Sequence, residues 1–351
     1  MTSKSRAHLL AAVVAVVGLL LTSCSPAVSA NADANLIETG QDAANPGPET
    51  FDRVTTVRLG SPRGAATMAL AGMIHDQDQR EAANLNLLEG NIYDFTIVGA
   101  PDQLTAALAT GNIDAALLPV NVAATLYNRT DGAVQLAAIT AQGLFYALAA
   151  DSTITSFADL DGRKVYTTGL GATPEFVINY FSAHQGVSPR VDFSSEATAA
   201  LTQLVTDPAG VGILPEPFVT SALKQNPGLS VVIDLNDAWM QATGSPLVTT
   251  ALVVRTDFAQ AHRESVATLL ADLTLSVEWV NATPADAAPV IEAQGIVPSA
   301  AIAQAAIPRT NLVAMTSGDA RTATLAFLRV LHAAHPESVG GSIPGDGFFL
   351  N

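Results

Sequence analysis

The sequence predicts an α/β fold made of two similar lobes, and three observations carry that expectation. Short β-branched runs alternate with helical stretches along most of the chain, the pattern of parallel sheets covered on both faces. Two apolar runs, Ala-Leu-Leu-Pro-Val-Asn at 116–121 and Gly-Ile-Leu-Pro-Glu-Pro at 212–217, each stop at a proline after a leucine. Both are preceded by the same order of signals: strand, glycine-rich turn, helix, strand, and a helix lettered Thr-Ala-Ala-Leu.

In the first half, Val54 to Leu59 reads as a strand meeting the turn Gly60-Ser61-Pro62-Arg63-Gly64. Ala65 to Ile74 reads as a helix and Tyr93 to Val98 as a strand. Pro101 to Thr110 is an alanine-rich helix closed by Gly111. Ile113 to Leu118 is a strand stopped by Pro119, after which Asn121 is placed to cap a helix from Val122 to Tyr127. Val134 to Ile139 is a further strand.

In the second half, Lys164 to Thr167 is a strand that meets Thr168-Gly169-Leu170-Gly171, and a helix starts near Thr173. Arg190 to Phe193 (strand), Glu196 to Val205 (helix) and Gly210 to Leu214 (strand) follow, the last stopped by Pro215. In this comparison Gly64-Ala65-Ala66-Thr67 faces Gly171-Ala172-Thr173. Leu247 to Arg255 reads as a strand. His262 to Val280 is a helix with Leu269, Leu270, Leu273, Val277 and Val280 along one face. Two more helices are expected near 299–307 and 319–334, and this helical tail needs a partner, for which the first lobe is the natural choice.

Composition narrows the function. The chain has 351 residues, 49% of them hydrophobic, enough for about two domains with a sizeable core. A net charge of −16 and the lack of a basic block argue against nucleic acid, which is gripped by clustered Lys and Arg. Cys24 is the single cysteine, so no intrachain disulfide forms. It follows Lys4, Arg6 and the uncharged apolar run Leu9 to Leu21, the layout of a secretory signal and too short for a spanning helix. Leu21-Thr22-Ser23-Cys24 resembles the bacterial lipobox, in which the cysteine is lipidated and becomes the new N-terminus. Residues 25–50 are poor in large apolar side chains and end in Pro46-Gly47-Pro48, so they read as a flexible tether.

Several segments together resemble the extracellular solute-binding lipoproteins of ABC importers, in the branch that binds aliphatic sulfonates, nitrate or thiamine-pyrimidine precursors. They are the lipobox, Gly111 to Ala116, Leu118 to Asn121, Asp159 to Lys164, Thr168 to Glu175, Leu214 to Phe218, and the tail from Val339-Gly340-Gly341 to Phe348-Phe349. The resemblance spans roughly residues 54–351. It implies the type II periplasmic-binding-protein fold, with a ligand cleft between the lobes and a two-strand hinge near Gly143–Ala149 and Val248–Val254. The expected parts are a signal peptide at 1–23, the tether at 24–52, lobe 1 from 53–145 plus 252–351, and lobe 2 at 146–251. The expected partners are a small polar molecule and an ABC permease with its ATPase. The expected place is the outer face of the bacterial cytoplasmic membrane, as a monomer anchored through Cys24.

In parallel sheets ligands bind beyond the carboxyl ends of the strands, so the glycine turns and Leu-Pro stops are the candidate cleft. Helix N-termini offer unpaired N–H groups that suit polar oxygens. Ser61, Gly64 and Ala65 supply one such set, and Gly171, Ala172 and Thr173 the other. Thr173-Pro174-Glu175 also reads as a helix start, and Asn121 is either a cap or a ligand contact. Glu216, between two prolines, is expected either to accept from an amine or ring N–H of the ligand or to pair with Arg63 across the cleft. Tyr146 and Phe218 are the aromatics placed to sandwich a flat ring, whereas Trp239 and Trp279 read as packing residues. No cofactor is expected. There is no Gly-x-Ser-x-Gly elbow, P-loop or His-Glu-x-x-His, and His332 and His335 lack a third metal ligand. A lipid-anchored sensor or adhesin on the same fold is the alternative, with an enzyme a more distant one.

Overall fold

The computed structural model describes Val54 to Leu350, apart from Asn86 and Leu88. The expected signal peptide, lipidated Cys24 and tether lie outside the described residues.

The first lobe starts with β1 (Val54–Pro62), a 3-10 segment (Ala65–Leu70) and α1 (Ala71–Ala82). It continues through β2 (Gly90–Val98), α2 (Pro101–Ala109), β3 (Ala115–Pro119), α3 (Val120–Arg129) and β4 (Val134–Gln142). The chain then crosses at Gly143-Leu144 into the second lobe: β5 (Phe145–Ala149), β6 (Lys164–Thr168), α4 (Thr173–Gln185), β7 (Arg190–Ser194), α5 (Ala197–Thr206), β8 (Val211–Pro215), α6 (Phe218–Gln225), β9 (Ser230–Asp234) and α7 (Leu235–Thr243). It returns with β10 (Val248–Arg255), followed by α8 (Thr256–Ala261), α9 (Arg263–Ala282), α10 (Pro284–Ala293), α11 (Ala300–Ala306), β11 (Leu312–Met315) and α12 (Ser317–Ala334).

The repeated lettering is a repeated topology. The six-stranded sheet runs β11-β4-β10-β3-β1-β2 and the five-stranded sheet β7-β6-β8-β5-β9. In each, a strand before a glycine turn (β1, β6) sits parallel between the next strand (β2, β7) and the Leu-Pro strand (β3, β8). In each, the Leu-Pro strand also pairs antiparallel with a strand that enters from the other lobe: Pro119 opposes Thr250, and Pro215 opposes Phe145. Proline has no N–H to continue a ladder, so both central strands end at the edge where the chain crosses between lobes. Phe145 pairs in the five-stranded sheet and Val248 to Ala251 in the six-stranded one, one and four residues away from the expected lobe edges.

Helices sit close on both sheets because glycine leaves room. A Cβ on Gly60 of β1 would lie 2.6 Å from Leu104 of α2, and one on Gly212 of β8 would overlap Leu204 of α5. The Thr-Ala-Ala-Leu helices are these same two elements, with Leu104 and Leu108, and Leu201 and Leu204, buried. At the far end of β3, buried Asp114 accepts from Arg58 Nε and Nη2 of β1 at 2.9 and 2.5 Å and lies 3.9 Å from Arg255 of β10. That carboxylate pins three neighbouring strands, which gives the Gly-Asn-Ile-Asp lettering a structural role.

The helical tail packs on the first lobe as its apolar face requires: α9 lies against α1, where Ser276 Oγ accepts from Gly72 N at 2.9 Å and donates to the Ala69 carbonyl at 2.6 Å. It also reaches the second lobe. Trp239 of α7 is 1% exposed and meets Phe327 of α12 at 5.7 Å between ring centroids. Trp279, half-buried, stacks on His75 at 4.9 Å.

Candidate functional site

The carboxyl edges of the parallel strands in both lobes lie where the two crossings join the sheets. Gly143 and Leu144 lead directly from β4 into β5, whose first residue opposes Pro215. Val248, at the return, opposes Gln142. The turns after β1 and β3 in one lobe and after β6 and β8 in the other therefore share a single inter-lobe edge.

On the first lobe this edge holds Ser61, Arg63, Gly64, Ala65 and Asn121. Ser61 is buried, with Oγ 2.7 Å from Thr67 Oγ1, and Thr67 in turn donates to the Pro62 carbonyl. Gly64 has φ 135°, a conformation that favours glycine, and leads into the segment starting at Ala65. The helical stretch expected from Ala65 begins as that 3-10 turn and becomes α-helical only at Ala71. Arg63 is engaged within the first lobe: its Nη1 donates to the Gly295 carbonyl at 2.6 Å. Asn121 is not the cap that was expected. Pro119 takes the capping position, the helix begins at Val120, and Asn121 is its second residue, 5% exposed. Its Nδ2 lies 3.5 Å from the Ser338 carbonyl, while its Oδ1 is buried with no donor among the described residues.

On the second lobe the turn after β6 carries Gly169 and Gly171, both at positive φ. Ala172, not Thr173, holds the capping position of α4, and Thr173 is its buried first residue. The turn N–H groups are occupied within the turn. Gly171 N donates to Glu175 Oε2 at 2.5 Å, and Ala172 N donates to the Gly169 carbonyl at 2.9 Å. Between these glycines Leu170 is 71% exposed.

Glu216 corrects the sequence reading most. It is buried, and its partner is Arg309, not Arg63. Arg309 Nε donates to Oε1 at 2.6 Å, Thr220 Oγ1 donates to the same oxygen at 3.0 Å, and Thr220 N donates to Oε2 at 3.1 Å. Arg309 Nη2 donates to Thr220 Oγ1 at 2.7 Å, which closes the ring of contacts. Burial raises the Glu216 carboxyl above its ordinary pKa against the opposing pull of Arg309 and Thr220. Tyr146, expected beside a flat ligand, is buried in the packing of the second lobe with Tyr166, Leu201 and Leu214. Its hydroxyl donates to the Arg309 carbonyl at 2.9 Å, and burial, then the nearby Asp234, holds the phenol well above its usual pKa. Phe218 opens α6 and packs against that same cluster. The aromatic pair thus belongs to the hinge side of the second lobe.

Sequence reasoning missed Arg309 and Asn311. Asn311 donates from Nδ2 to the Gly143 carbonyl and to Tyr146 Oη, and its own carbonyl accepts from Gln142 N at 3.0 Å. Neither residue lies in a motif; only their fold position joins them to the crossing. Two surface grooves lie elsewhere, one between α4 and α12 beside Tyr180 and Val330, the other beside Thr55 and Thr268. Among the described residues no group of three or more His, Cys, Asp or Glu is arranged to hold a metal ion.

The fold and this shared edge define a two-lobed protein of the periplasmic-binding type. A family model described as Menaquinone biosynthesis matches residues 85–312, well over half of the chain, and the chain belongs to that family. A comparison with curated proteins returns no match. Among solved structures, the chain is similar to an ABC transporter protein from Parabacteroides distasonis, with 23% identity and a TM-score of 0.72 over 85% of this chain and 99% of that one. It is similar to the periplasmic aliphatic sulphonate binding protein of Escherichia coli, with 13% identity and a TM-score of 0.65 over 82% and 94%. It is also similar to the ligand binding component of an ABC-type import system from Staphylococcus aureus, solved with zinc bound, with 11% identity and a TM-score of 0.61 over 84% and 98%. At these identities the likeness establishes the fold.

Proposed function

We propose that the chain is the solute-binding component of an ABC importer, capturing a small polar molecule between its lobes and passing it to a permease with its ATPase. The observation that carries this reading is the duplicated edge: each lobe ends its central strands in a Leu-Pro stop and a glycine turn, and both edges meet at the two crossings. A molecule held there touches both lobes only when they are together, so binding stabilises the closed state. The alkanesulfonate and aliphatic sulphonate bound by two of the fold neighbours support a small polar ligand. Anchoring through a lipid on Cys24, exposure at the outer face of the cytoplasmic membrane and a monomeric state belong to the same reading. Among the described residues no helix is long and apolar enough to cross a membrane.

The family description favours a second reading, an enzyme of a biosynthetic route with its substrate in the same cleft. Against it, Glu216, expected either to meet the ligand or to pair with Arg63, is held by Arg309 and Thr220 and does not stand ready as a base. A thermal-shift panel of thiamine and its pyrimidine precursor, taurine, alkyl sulfonates, nitrate, amino acids and riboflavin separates the two, with mass spectrometry on each mixture. A solute at a hundred times its Kd adds about 2.7 kcal/mol, a shift of several degrees. The expected result is such a shift with the solute recovered unchanged. Steady conversion of the bound compound would establish the enzyme instead.

A further inference from the structure

At the cleft edge of the first lobe the two buried side chains Ser61 and Asn121 present acceptors. Thr67 has one hydroxyl hydrogen, and it goes to the Pro62 carbonyl. Ser61 must therefore be the donor in its 2.7 Å contact with Thr67, which leaves only its lone pairs. The Asn121 amide is fixed in the same way. Its Nδ2 faces the Ser338 carbonyl, which can only accept, so Oδ1 is the atom left buried without a donor. Ser61 and Asn121 lie at the carboxyl ends of β1 and β3, which are parallel neighbours, so both belong to one edge.

The second lobe packs against this corner through α4. Phe176 of α4 packs 5.9 Å from His335, three residues before Ser338. The start of α4 would ordinarily attract an anion, but Gly171 N is already bound to the Glu175 carboxylate, which places a negative charge there. A buried acceptor without a partner costs free energy. An oxyanion made only of acceptors deepens that cost, while an N–H group relieves it.

Building on the solute-binding reading, we infer that the solute carries an N–H donor, an amine or amino-heterocycle, that is received by Asn121 Oδ1. Solutes that differ only in that group discriminate the idea. Calorimetry on the purified protein would compare taurine with ethanesulfonate, glycine with acetate, and 4-aminopyrimidine with pyrimidine. Within the pair that binds, the amino member is expected to bind at least tenfold tighter. Asn121→Leu should erase that difference, and Asn121→Asp, which keeps the acceptor, should preserve it to within about threefold. The wild-type comparison stands alone should Asn121→Leu fail to fold. Equal affinity for both members of a binding pair, or a preference unchanged in Asn121→Leu, overturns the inference and leaves the solute-binding reading in place. Silence from every pair counts against both.

Discussion

Glu216 Oε1 accepts a hydrogen bond from Arg309 Nε at 2.6 Å, and this pair ties the end of β8 in the second lobe to the turn before β11 in the first. Glu216 is 2% exposed, whereas the Arg309 side chain is 32% exposed. The pair is thus buried on one side and wet on the other, and its removal is felt as an uncompensated group at the junction of the lobes.

Glu216→Ala leaves Arg309 and Thr220 without their shared acceptor. Breaking a fully buried pair costs roughly 3–5 kcal/mol. The partial exposure of Arg309 lowers this to about 2–3 kcal/mol. Urea unfolding of both proteins measures it, and an unchanged midpoint would show that the contact does not hold the lobes.

The pH dependence of Glu216 has a defined sign. Its folded pKa lies above the ordinary value of 4.5 for a glutamate because burial penalises the carboxylate. A raised carboxyl contributes stability that is fully present below its unfolded pKa and is lost as pH rises through the folded pKa. The stability of the protein relative to Glu216→Gln should therefore be greatest in acid, fall as pH rises above about 4.5, and then level off. Paired thermal melts across that range measure it. A difference that grows with rising pH would mean that Arg309, not burial, dominates the site.

Gly143 sits where the chain leaves the first lobe. A Cβ there would lie 2.5 Å from Asn236 Cβ and 3.0 Å from its Cα. Asn236 also holds the returning crossing, accepting at Oδ1 from Leu247 N at 3.3 Å. Gly143→Ala should destabilise the protein by about 1–3 kcal/mol, the usual cost of overpacking. It should also weaken solute binding, since both crossings move. Loss of stability with unaltered affinity would show that the crossing does not govern closure.

Much of the fold was legible because the chemistry was local. The runs at Val54, Lys164 and Val211 are β-branched or apolar and end in glycine or proline, so sequence and structure agree there to within a few residues. The repeated Leu-Pro stops predicted the repeated strand order. The strand Ser230–Asp234 escaped notice because it is an edge strand with two exposed residues, although Pro227-Gly228 punctuates its start. The candidate site was legible in position and not in partners. Glu216 was correctly set at the end of a strand, yet Arg309 stands 93 residues away in the sequence, and no local signal links them. Asn121 is not the cap because the helix starts two residues sooner than polar lettering suggests, with Pro119 in the capping position.

The central claim, that the lobes close on a solute, is tested most directly by a distance across the cleft. Gln103 in α2 and Thr198 in α5 are exposed near the two strand-end edges, and Cys24 is the chain's single cysteine. Spin labels on Gln103→Cys and Thr198→Cys in a protein that begins after Cys24 therefore report one distance by pulsed electron resonance. Saturation with the solute found by thermal shift should shorten and narrow that distance distribution. A distribution unchanged by a solute that demonstrably binds would contradict capture by closure.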